Sequence, residues 1–102
     1  MALEKSVIGK DFFDKLELVD VNMESFKDKN KIGFETEDSI GKFRILTKRI
    51  EQNSYISYHT NIFNGLEPQN ILIQKKSMGF RKAIQIHYSV LNYLSRLKDK
   101  NN

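Results

Sequence analysis

The chain has 102 residues, 39% hydrophobic and 29% charged, with a formal net charge of +4. That length predicts one compact domain, and the lack of any run of about 18 apolar residues predicts no membrane-spanning helix. The absence of cysteine excludes disulfides and thiolate chemistry. The opening MALEKSVIGKDFF has no signal-peptide apolar region, so a cytoplasmic location is expected. Residues 1–38 hold six Lys and ten Asp/Glu, whereas residues 39–102 hold eleven Lys/Arg and three Asp/Glu. Cations therefore concentrate in the C-terminal two-thirds, which suggests one oriented positive surface for nucleic acid.

In chain order, residues 1–10 read as a flexible arm carrying Lys5 and Lys10. Residues 11–18 read as a short helix with Phe12, Phe13 and Leu16 turned inward. Asn22 is a candidate N-cap for a second helix over 23–31, with Met23 and Phe26 as its apolar side. Gly33 suits a helix stop, and GFETED reads as the following turn. Asp38 or Ser39 caps a third helix running to about Gln52. Its apolar face is Ile40, Phe43, Leu46 and Ile50, at steps of three, three and four. Lys42, Arg44, Lys48 and Arg49 fall off that face. Residues 55–63 alternate Ile56, Tyr58, Thr60 and Ile62 on one side, and residues 70–75 form the partner strand. NGLEPQ, with Asn-Gly and the only proline, is the turn between them. Residues 77–98 read as a long final helix, and 99–102 as a disordered tail. Phe80, Ala83, Ile84, His87, Val90, Leu91, Leu94 and Leu97 share one face of that helix. Ile86 and Tyr93 widen the arc beyond the roughly 100° stripe of a simple surface helix. Such breadth predicts a homodimer through Phe80, Ile84, His87, Leu91 and Leu94.

This order of three helices, hairpin and helix, with Ile32-Gly33-Phe34 at a turn, Phe43, Leu46 and Ile50-Glu51 in the third helix and Ser54-Tyr55-Ile56 entering a hairpin, resembles the winged helix-turn-helix family. The resemblance implies an α+β fold: a core over residues 11–76 with three helices and a two-stranded wing, then a long C-terminal helix. It further implies duplex DNA binding with the third helix in the major groove. Carried onto this chain, Lys42, Arg44, Lys48 and Arg49 serve that helix. His59, Asn61, Asn64, Gln69, Lys75 and Lys76 serve the wing. Arg44 or Arg49 suits bidentate contact with guanine, and the lysines suit phosphates. The role implied is a transcription regulator or an accessory factor in plasmid DNA processing, acting with other DNA-processing proteins. In length and architecture the chain is similar to the small winged-helix accessory proteins of clostridial conjugative plasmids.

Two other readings are open. If residues 42–50 form a strand, the chain becomes helix, four strands and helix, as in PC4-like or Pur-like single-strand binders. Tyr55, Tyr58 and Phe63 then offer stacking surfaces. Alternatively the basic face serves a small inhibitor module against an acidic protein. No enzyme, cofactor or metal is expected. His59 and His87 are far apart in sequence without acids at metal-ligand spacing, and no phosphate loop or nucleophile motif occurs. Glu35, Glu37 and Asp38 lack calcium-loop spacing.

Overall fold

The computed structural model describes residues 8–65 and 71–100, except for the side chains of 99 and 100. Most of the expected arm, the centre of the NGLEPQ turn with Gln69, and the end of the expected tail lie outside the described residues. Four strands, β1 (Glu35–Ile40), β2 (Phe43–Gln52), β3 (Tyr55–Asn64) and β4 (Ile71–Ser77), form one antiparallel sheet in the order β1-β2-β3-β4. One helix, α1 (Phe80–Lys100), follows. Before the sheet there are two 3-10 turns, Phe13–Lys15 and Met23–Phe26.

Tight turns account for the hairpins. Ile40 pairs with Phe43, leaving Gly41 and Lys42 as a two-residue loop in which Gly41 takes φ +58. Gln52 pairs with Tyr55 across Asn53 and Ser54, whose φ values of 51 and 71 are both left-handed. Two successive positive φ values match a type I′ turn, whose twist suits antiparallel strands. Ile45, Thr47 and Ile50 supply the β-branched side chains that favour an extended β2.

The fold is therefore not a winged helix-turn-helix. Residues 39–52, expected as the recognition helix, are the end of β1, a turn and β2. Ile40, Phe43, Leu46 and Ile50 satisfy a helical period, but the fully buried residues of β2 are Ile45 and Thr47, two apart as on a strand face. GFETED, expected as a turn, contains the start of β1. The helices expected over 11–18 and 23–31 shrink to 3-10 turns, although Asn22 does cap the second, its Oδ1 accepting from the Glu24 N–H at 3.0 Å. With no recognition helix, the duplex-DNA, transcription-regulator and conjugative-plasmid readings lose the element on which they rested.

α1 packs across one face of the sheet. Ile45, Ile62, Ile86, Val90 and Leu94 form the core together with Ile8 and Phe12 from the N-terminal segment. Burying each such side chain contributes about 1.5–3 kcal/mol. The N-terminal segment closes over the helix. Phe12 meets Tyr93 edge-on at 5.4 Å between centroids. The Val19 N–H donates to Ser89 Oγ at 2.8 Å, and Gln85 Nε2 donates to the Val19 carbonyl at 3.1 Å. Phe26 packs against Phe80 and Tyr88, and Phe34 against Phe80. Among the described residues no helix is long and apolar enough to cross a membrane.

Candidate nucleic-acid interface

Strand alternation divides the functional side chains between two faces. On the helix side lie Thr47, Thr60 and Ile62. Cross-strand pairing sets out the other face in rows. One row reads Glu35, Lys48, His59, Lys76 from β1 to β4. The next reads Glu37, Leu46, Asn61, Gln74, and the third reads Ser39, Arg44, Phe63, with Ile71 opposite Phe63 beyond a bulge. β2 continues to Ile50 opposite Ser57 and Gln52 opposite Tyr55.

Within these rows, Lys48 and Lys76 are exposed and flank a half-buried His59. Neither lysine has an ion-pair partner among the described residues. Gln74 Nε2 donates to Asn61 Oδ1 at 2.6 Å, which fixes an amide pair beside the cation row. The Arg44 guanidinium lies 4.3 Å from the centre of the Phe63 ring and pairs with Glu37 at 2.8 Å. Tyr55 is 72% exposed at the far end of β3. The strip thus combines cations, an amide pair and flat groups at Tyr55, His59 and the Arg44 guanidinium, while the Phe63 ring (5% exposed) and Asn61 (8%) are buried beneath it.

Of the residues expected to bind DNA, Arg44, Lys48, His59, Asn61 and Lys76 come together on this face. Arg49 does not. It lies on the helix side, 10% exposed at its side chain, and its Nη1 donates to Asn30 Oδ1 at 3.0 Å and to the Asn30 carbonyl. Its Nη2 pairs with Glu51 at 3.3 Å. Lys75 also projects to the helix side, being opposite Thr60. Lys42 sits in the β1–β2 turn, its carbonyl accepting from the Gly65 N–H, and Asn64 ends β3 half-buried. Of the stacking residues, Tyr58 is turned to the helix side, where its hydroxyl donates to Asn30 Oδ1 at 2.7 Å. Gln74 was missed, although alternation along NILIQKK puts it on the same side as Lys76.

The residues expected at a dimer contact are largely used within one chain. Ile84 and His87 are 0% exposed and Leu94 2%. Phe80 joins the aromatic cluster with Phe26, Phe34 and Tyr58, and Leu91 packs at the edge of the core. The sheet and the N-terminal segment together cover the broad apolar arc.

His87 belongs to a buried polar chain. Its Nε2 is 2.7 Å from Asp38 Oδ2, its Nδ1 is 2.9 Å from Thr47 Oγ1, and Thr47 Oγ1 is 2.8 Å from Thr60 Oγ1. A carboxylate only accepts, so Nε2 carries the proton and Nδ1 accepts from Thr47. Burial pushes the imidazole below its ordinary pKa, and the Asp38 hydrogen bond and charge offset part of that. The hydroxyl–imidazole–carboxylate order resembles an activated nucleophile. Thr47 and Thr60 are 0% exposed, however, so in this fold the chain joins sheet to helix and presents no hydroxyl to a substrate. Comparison with protein-family models, curated proteins and solved structures finds no match for this chain.

Proposed function

We propose that the protein binds single-stranded nucleic acid on the sheet face opposite α1, as a binding protein and not an enzyme, in the cytoplasm. Four antiparallel strands followed by a long helix match the PC4-like or Pur-like reading except for its leading helix, where the chain has a 3-10 turn. The observation that carries the proposal is the cross-strand row Lys48–His59–Lys76 beside Asn61–Gln74 and Arg44–Phe63.

Dimensions favour a single strand over a duplex. Four strands at about 4.8 Å spacing span about 14 Å between outer strand axes before side chains are added. The major groove is about 12 Å wide and admits a helix or a two-stranded ribbon. This face is too broad to enter it. An unpaired strand can lie across the sheet with its phosphates on Lys48 and Lys76 and its bases against His59, Tyr55 or the outer side of the Arg44 guanidinium. The test is a salt-dependent titration with single-stranded and duplex oligonucleotides of one sequence. Preference for the single strand, weakened by Lys48→Ala and Lys76→Ala, is the expected result; equal affinity for the duplex contradicts the reading.

A further inference from the structure

Charge on the proposed face is graded from edge to edge. The β1 edge presents Glu35 and Glu37, and the β4 edge presents Gln74 and Lys76. Beyond the β4 edge the positive charge continues. Lys75, next along the strand, projects to the helix side and with Lys82 of α1 lines a half-enclosed cleft of about 210 Å³. Phe13, Leu16, Leu18 and Ile86 give that cleft apolar walls, and Asp14 lies at its lining as well. Neither Lys75 nor Lys82 has an ion-pair partner among the described residues.

We propose that a single strand bound on the sheet leaves it over the β4 edge and seats one nucleobase in this cleft, with Lys75 and Lys82 on the adjoining phosphates. This rests on the reading of the sheet face given above. A polyanion leaving over β1 meets Glu35 and Glu37, whereas one leaving over β4 passes Lys76, Lys75 and Lys82 in turn. The cleft is below the roughly 300–1,000 Å³ of a drug-sized ligand site, a scale suited to one flat ring. Apolar walls favour the faces of a base without regard to its identity. The Asp14 carboxylate repels phosphate and accepts from a base N–H. Each of the four bases carries an N–H on its pairing edge, so the seat tolerates any sequence.

The experiment is fluorescence anisotropy with labelled thymidylate oligonucleotides of about 4 to 16 nucleotides at several salt concentrations. Wild-type affinity is expected to rise with length beyond the oligonucleotide that fills the sheet face. The Lys75→Ala/Lys82→Ala double variant is expected to lose that gain. Its log–log salt slope on long oligonucleotides should be shallower by about 1.4, about 0.7 for each phosphate contact removed. The shortest oligonucleotides should bind as to wild type. Leu18→Trp, which narrows the cleft but keeps both lysines, should also lose the gain, with circular dichroism confirming that each variant is folded. A double variant that keeps the wild-type length gain and slope, while Lys48→Ala weakens binding at every length, overturns this inference and leaves the sheet-face reading standing. A folded Leu18→Trp variant that keeps the gain overturns the base seat. If no oligonucleotide binds the wild type, both readings fall.

Discussion

Lowering the pH from about 7.5 to 5.5 should destabilise this protein through His87. The side chain is 0% exposed, so solvent does not screen it. Asp38 Oδ2 lies 2.7 Å from its Nε2, and the Tyr88 ring is 5.0 Å away between centroids. Burial lowers its pKa from the ordinary 6.5, and Asp38 recovers only part of that shift. Protonating Nδ1 also turns Thr47 from donor to acceptor towards His87, so that its hydroxyl proton must leave the imidazole. The unfolded chain therefore takes up the proton more readily than the folded one. The stabilisation is complete above about pH 6.5 and is lost as pH falls from there toward the depressed folded-state pKa. The slope in that window cannot exceed about 1.4 kcal/mol per pH unit for one group. Urea unfolding of wild type and His87→Gln at a series of pH values measures it, because glutamine does not titrate and carboxylates elsewhere contribute to both. The wild type should lose more stability than the variant across the window. Parallel curves, or a wild type that gains stability on acidification, would refute the account of the buried chain.

Arg49→Ala should cost about 0.5–1.5 kcal/mol in chemical denaturation, the net worth of a hydrogen bond, because it removes the donor to the Asn30 carbonyl while Tyr58 still donates to Asn30 Oδ1, and should leave oligonucleotide affinity unchanged. Leu94→Asp should unfold the protein by circular dichroism, because it buries an unpaired carboxylate in the monomer core; a folded variant that merely changes oligomeric state contradicts the packing described. Glu37→Gln should tighten single-strand binding by an amount equivalent to at most about 1 kcal/mol, the scale of a partly exposed ion pair, as it releases Arg44. Anisotropy titration at low salt reads this, and weaker binding by a folded variant counts against Arg44 as a contact.

The β3–β4 pair and the final helix were legible because each follows one period only. Ile56, Tyr58, Thr60 and Ile62 alternate, and the α1 residues repeat at three and four. β1 and β2 were not, because Ile40, Phe43, Leu46 and Ile50 fit a helix while Phe43, Ile45 and Thr47 fit a strand. The deciding signals were local: Gly41 and the Asn53-Ser54 pair each stand where a two-residue hairpin needs left-handed backbone. The acids of GFETED imitate residues leading into a helix. In the structure Glu35 and Glu37 face outward from an edge strand, where charge discourages pairing with another sheet. The basic residues were found but not their arrangement, since alternation puts Arg44 and Lys48 on one face and Arg49 on the other. The covering of α1 was hidden because the N-terminal segment packs through short turns and single side chains such as Phe12, Val19 and Phe26, which carry no periodic pattern.

The central claim is tested most directly by competition: a labelled single strand on the protein, displaced by unlabelled single strand or by duplex of the same sequence, for wild type and a Lys48→Ala/Lys76→Ala variant. The account predicts that the single strand displaces far better than the duplex, and that the folded variant binds more weakly, with a salt slope shallower by about 1.4. Duplex that competes as well as single strand, or a variant that binds like wild type, contradicts it.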